Sequence, residues 1–231
     1  MPVISFANTK GGAGKTTALL LLATELIRRG KTVCVVDTDP QRWISRWFEG
    51  ASAPGDKVML ATYVTAYTLQ RTIEENAPKF DYVLVDLPGS QSPLLATAIG
   101  LSDHILIPIQ GSSMDAQGGA QVLEILAYLD QRANISIPHS VVLSRVNSMI
   151  TTRSMLVVKG LLAQRSVHVL DTPLIERAPF RDMFDLKTYL HLMDPAKASN
   201  LDKALANAAA FADEVIDLAE KSRQKPRIRA A

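Results

Sequence analysis

The chain of 231 residues is 47% hydrophobic, enough to bury a full core, and α/β chains of about this length commonly form one domain. Its 25 Lys and Arg against 23 Asp and Glu leave a net charge of +2, so attraction to nucleic acid or membrane has to come from a local cluster and not from overall charge. A single cysteine excludes an intrachain disulfide framework, and the longest apolar run, ALLLLA at 18–23, falls far short of the roughly 20 residues that span a bilayer. A reducing, cytoplasmic setting is expected, with neither export nor a membrane anchor.

In chain order, short apolar runs alternate with segments of helical period. VISFA (3–7) reads as the first strand and 15–29 as an apolar helix. TVCVV (32–36) follows, with Cys34 a small core residue. After Asp39 comes a helix on which Trp43 and Trp47, four apart, share one face for packing or partner docking. KVMLA (57–61), YVLVD (82–86), HILIPI (104–109), SVVLSRV (140–146) and VHVL (167–170) complete the strands. Further helices are expected at 66–77, 91–100, 115–131, 151–164, 177–190 and 199–222. Apolar strands separated by helices predict an α/β fold, a doubly wound and mainly parallel sheet with helices on both faces. Residues 1–220 read as one domain. The remainder, 221–231, loses the apolar period and gains positive charge, as expected of a basic, flexible tail.

The stretch NTKGGAGKTT (8–17) lies between the first strand and the first helix, the order of a phosphate-binding loop. Gly11, Gly12, Ala13 and Gly14 would let backbone N–H groups converge on an anion at a helix N-terminus. Lys15 would reach the outer phosphates of ATP, Thr16 would ligate Mg²⁺, and Thr17, next in the first helical turn, is a further nucleotide-binding candidate. Thr9 stands where the usual loop has its first glycine, and Lys10 is a second lysine beside that break. Asp37 and Asp39 end the second strand and Asp86 ends the fourth, so all three should meet the loop at the carboxyl edge of the sheet. One such aspartate alone is ordinarily a cap or turn former; three beside a phosphate loop read as a functional set able to support a phosphate-bridging Mg²⁺. The four histidines have no metal-type spacing.

KGGAGKTT resembles the deviant Walker A motif of the ParA/MinD family, and the resemblance extends over most of the chain. It implies a P-loop ATPase domain over 1–220 and an ATP-dependent homodimer, in which Lys15 serves its own nucleotide and Lys10 the partner's. Asp86 resembles the Walker B carboxylate, with Asp37 reinforcing the metal shell and Asp39 orienting the attacking water; hydrolysis is then slow and partner-stimulated. LPGSQS (87–92) resembles the second switch. In PIQGSSMDAQGG (108–119), Gly111 replaces the family's proline, and Ser112, Ser113 and Asp115 are candidates for helix capping or the dimer interface. Asn147 and Pro173 lie in segments resembling the loops that hold adenine. By the same resemblance, Arg181, Lys187, Lys197, Lys203 and Arg223 are DNA-contact candidates.

The cysteines of the nitrogenase iron protein are missing. The last dozen residues offer Ile228 as their one large apolar side chain, which argues against MinD-type membrane binding and for DNA. Entry into the first strand at Val3 resembles the short ParA type, which relies on a ParB-like or ribbon-helix-helix adaptor. The Arg–Trp element after Asp39 also resembles VirC-type relatives that assist T-DNA transfer. The implied function is slow ATP hydrolysis by a dimer that binds DNA nonspecifically, on the nucleoid, to segregate or position cargo. Two alternatives stay open: an ATP-gated scaffold for a protein complex or DNA-transfer machine without DNA binding, and a metabolic P-loop ligase or kinase.

Overall fold

Six strands that are apolar on both faces can only sit between two helical layers, and they do. The computed structural model describes residues 1–51, 57–111, 113–147 and 152–224, the side chains of 113–115 and 223–224 excepted. The strands are β1 (Val3–Phe6), β2 (Val33–Asp37), β3 (Val58–Ala61), β4 (Tyr82–Asp86), β5 (His104–Gln110) and β6 (His139–Ser144). All pair in parallel, in the order β3-β2-β4-β1-β5-β6. The helices are α1 (Lys15–Arg28), α2 (Trp43–Gly50), α3 (Leu69–Asn76), α4 (Pro93–Leu101), α5 (Ser113–Ala133), α6 (Arg153–Gln164), α7 (Ala178–Leu186) and α8 (Leu201–Gln224).

Alternation along the strands divides the core in two. Ile4, Phe6, Val35 and Leu84 face one layer with α1, α2, α7 and α8; Val3, Cys34, Val36, Val83 and Val85 face the other with α3 to α6. Helix α1 is buried all round: Leu19 to Leu22 are each fully inaccessible, because the sheet takes one side and α8 the other. This fixes the glycine loop rigidly at its N-terminus.

Four expectations need correction. VHVL (167–170) forms a single bridge, Val169 to Val141, and not a strand. The carboxylate of Glu214 on α8 captures the backbone N–H groups of Asp171 (2.8 Å) and Thr172 (2.9 Å), and Pro173 has none to give, so the pairing is interrupted until Leu174 donates to the Leu143 carbonyl at 2.8 Å. The helix expected over 177–190 ends at Leu186, where Lys187 turns into the left-handed region at φ 47°. Helix α8 runs to Gln224, four residues into the expected tail. Lastly, Trp43 and Trp47 do not share a buried face. The packed stripe is Ile44, Trp47 and Phe48, at i, i+3 and i+4, which leaves Trp43 55% exposed. The Trp47 Nε1–H donates to the Met183 carbonyl at 2.6 Å, tying α2 to α7.

Trp47→Ala should therefore lower unfolding stability by about 3–5 kcal/mol, while Trp43→Ala stays within about 0.5 kcal/mol of the parent. Urea denaturation of both variants checks this.

Candidate functional site

Helix α1 begins without a side-chain cap. Its N-terminal residue is Gly14 at φ 98°, a conformation that only glycine adopts without strain, and the free N–H groups of the first turn open onto the loop. Side chains far away in sequence hold the loop's carbonyls. Ser144, at the end of β6, donates to the Ala13 carbonyl at 2.8 Å, and Gln110, at the end of β5, donates to that of Gly12. Thr9, the residue that breaks the usual pattern, is used by α5. Its hydroxyl reaches the Gly118 carbonyl at 3.2 Å and the Gln121 side chain. The turn after β4 lies directly on the loop: a Cβ on Gly89 would come within 2.9 Å of the Gly11 nitrogen.

Asp37 and Asp86 are register partners on β2 and β4, so their side chains end at the same level of the sheet. Asp86 is buried, and burial chiefly, with Asp37 and Asp39 adding to it, pushes its carboxyl up to about 7 against the opposing Thr16 hydrogen bond and Lys15. One oxygen, Oδ2, accepts from the Thr16 hydroxyl at 2.8 Å; the other, Oδ1, is buried without a partner. A buried carboxylate oxygen left open beside a hydroxyl and a phosphate loop fits a hard divalent cation. Asp37 differs. Its Oδ2 accepts from the backbone N–H (3.1 Å) and hydroxyl of Ser45, and its Oδ1 from the Asp39 N–H at 3.1 Å, so it fixes the loop into α2. Asp39 is half-buried, accepts from the Gln41 N–H at 2.8 Å and lines the cleft.

The two lysines diverge. Lys15 is buried, donates to the Lys10 carbonyl at 3.2 Å and faces the cleft; burial lowers its pKa, while Asp86 and Asp39 pull it back up. Lys10 lies outside the cleft wall, with its backbone N–H held by the Asn8 side chain at 2.9 Å.

The cleft, of about 740 Å³, runs from the glycine loop past Asp39 and Gly89 to a second wall containing Arg145, Ile175, Phe180 and Phe184. Asn147 and Pro173 flank this wall and do not line it. The wall is built by pairing: Val146 donates to Leu174 (3.1 Å) and Glu176 to Val146 (2.9 Å). Asn207 of α8 clamps the same loop, accepting from the Ile175 N–H at 3.0 Å and donating to the Pro173 carbonyl at 2.9 Å. Sequence reasoning missed Gln110, Ser144, Arg145, Phe180 and Asn207. Gln110, Ser144 and Arg145 had a signal, their position at the carboxyl end of an apolar strand; Phe180 and Asn207 had none.

Among the DNA-contact candidates, Arg181 lines the cleft and pairs with Glu176 at 3.5 Å. Lys187 caps α7 with its side chain over Gly50, the last residue of α2, and Lys197 pairs with Asp194 at 3.8 Å. Lys203 is exposed on α8; the side chain of Arg223 lies outside the described residues, as do those of Ser112, Ser113 and Asp115.

An open parallel sheet of this order, carrying at its carboxyl edge a glycine loop with two lysines and a buried aspartate on the next strand, defines a P-loop nucleotide-binding protein of the ParA/MinD type. Within that class the chain belongs to the VirC1 family, whose model, "VirC1 protein", matches residues 1–222. A relative named Protein ParA, from Rhizobium radiobacter, is 34% identical over 212 residues, 92% of this chain and 95% of its own length. Protein virC1 of Rhizobium rhizogenes is 33% identical over 196 residues, 83% of this chain and 84% of its own. The solved MinD cell division protein of Aquifex aeolicus shares the fold at TM-score 0.73 and 20% identity, covering 94% of this chain and 98% of that one.

The raised pKa of Asp86 makes a pH prediction. Between about pH 4 and 7 the native state holds a proton that the unfolded chain releases, so this group's contribution to stability falls as pH rises through that window. Asp86→Asn should raise the nucleotide-free Tm at pH 7.5 by a few degrees and converge with the parent near pH 4, as thermal scans across that range would show.

Proposed function

We propose that this member of the ParA-like partition and positioning ATPases runs an ATP-dependent dimer cycle. ATP and Mg²⁺ occupy the cleft, with Gly11 to Gly14, Thr16 and Thr17 around the phosphates, Lys15 on the outer phosphates, Thr16 and Asp86 on the metal, and Asp37 holding that shell from behind. Asn147 and Pro173 stand at the adenine end. Lys10 reaches the nucleotide of a second subunit, and Asp39 orients the attacking water. The observation that carries this reading is the divergence of the two lysines, one inside the cleft and one outside it on the same loop.

The dimer, in this reading, binds duplex DNA with little sequence preference and is released by slow, adaptor-stimulated hydrolysis, which places it on the nucleoid with a ParB-like or ribbon-helix-helix partner. Arg181, Lys187, Lys197, Lys203 and Arg223 remain the DNA-contact candidates. One observation favours the second reading, an ATP-gated scaffold without DNA binding: residues 171–231 carry ten Lys and Arg against ten Asp and Glu, so the candidates sit in a region with no net positive charge.

Light scattering tests the lysines. Lys15→Ala should abolish ATP binding; Lys10→Ala should still bind ATP as a monomer yet fail to dimerise; Asp39→Ala should dimerise and not turn over. A fully dimeric Lys10→Ala protein removes the trans role. A salt titration of DNA binding with a slowly hydrolysed ATP analogue against ADP tests the first reading against the second. Binding confined to the ATP state, with log K falling by about 0.9 per phosphate contacted, supports the DNA cycle. Equal affinity in both states, or none in either, leaves the scaffold.

A further inference from the structure

We propose that the outward face of α6 docks this protein on an anionic lipid surface. The face has two properties that seldom occur together. First, Leu156, Val157 and Leu161 are 59%, 51% and 54% exposed, on the side of the helix opposite Met155, Val158 and Leu162, which are buried in the core. Gly160 lies among them with open space where its Cβ would stand, so the stripe is flat at its centre. Second, the surrounding chain has no acid. From residue 131 to residue 170 there is not one Asp or Glu, while Arg132, Arg145, Arg153, Lys159 and Arg165 fall in that span.

Arg28, Arg29, Arg42, Arg71, Arg181 and Lys197 each have a carboxylate within 4.0 Å; among the described residues Arg132, Arg153, Lys159 and Arg165 have none, as Arg46, Lys79 and Lys203 have none elsewhere, but only around α6 are such cations grouped in a span without acids. Four of the five cations in the acid-free span are thus uncompensated, and three of these lie on α6 or immediately after it, beside the apolar stripe. The fifth, Arg145, belongs to the cleft wall. Helix α6 packs against α5 and contributes no residue to the cleft wall, so a surface bound there leaves the nucleotide site open.

Exposed apolar residues at the centre and cations at the rim match the boundary of an anionic bilayer, where side chains enter the acyl region while Lys and Arg stay at the headgroups. DNA would reward the same cations but gain nothing from covering Leu156, Val157 and Leu161 with phosphate. The C-terminal segment, where the sequence alone directs a search for membrane contact, plays no part in this inference. Nor does it rest on the DNA cycle.

The test is sedimentation of the full chain with vesicles of equal parts phosphatidylglycerol and phosphatidylcholine, against pure phosphatidylcholine and against duplex DNA. The parent should bind only the anionic vesicles through this face. Leu156→Ser with Leu161→Ser should weaken that binding at least ten-fold, Lys159→Glu with Arg165→Glu should do the same, and both pairs should retain binding of a fluorescent ATP analogue and the parental Tm. Absence of anionic-vesicle binding, or binding that both pairs leave unchanged, overturns the proposal. So does loss of DNA binding on charge reversal with vesicle binding intact, which makes the face a DNA surface. A fall in solution mass for the Leu pair without vesicle binding overturns it too, as a self-association face.

Discussion

The hydrogen bond from Thr16 to Asp86 is the contact on which the rest of the site depends. It joins the first turn of α1 to the end of β4 at the carboxyl edge of the sheet, and it occupies one carboxylate oxygen while leaving the other buried and open. A buried carboxylate without a cation is costly, which is why burial drives its pKa upward. Placing Asp37 in register beside it adds a second negative group at the same depth, and Asp37 is tolerated because Ser45 and the Asp39 N–H satisfy its oxygens. The buried carboxylate pair therefore carries an electrostatic cost that a divalent cation would relieve.

The glycine loop is held from three directions by groups outside it. Gln110 and Ser144 fix its carbonyls from two strand ends, Thr9 anchors its entry to α5, and the Gly89 turn presses against its Gly11 nitrogen. A loop fixed in this way pays little ordering entropy when it receives an anion.

Charge is distributed unevenly in a chain that is almost neutral. Arg28 and Arg29 of α1, Arg71 of α3 and Arg181 of α7 are neutralised locally, Arg29 for example by Glu25 and by Asp213 of α8. Arg153, Lys159 and Arg165, on and just after α6, are not. Net charge hides this because residues 1–130 carry ten Lys and Arg against thirteen Asp and Glu, which offsets the five cations of the acid-free span.

The sequence by itself determined the fold class and the phosphate loop. Strands such as Val33–Asp37, buried at every position, and α1, with its apolar run from Ala18 to Ala23, point to a covered parallel sheet. The loop's function was legible because its glycines, Lys15 and Thr16 are contiguous, and strand ends put Asp37 and Asp86 at the same edge. Tertiary structure decided whatever depends on partners distant in the chain. Glu214 cuts short the strand that VHVL suggests, Ile44 and Phe48 rotate Trp43 out of the core, and Asn207 shapes the far wall of the cleft. The helix N-terminus and glycine turn are local properties of the backbone, but a carboxylate or amide captures whichever backbone group the packing of remote elements brings within reach, and no local pattern records that.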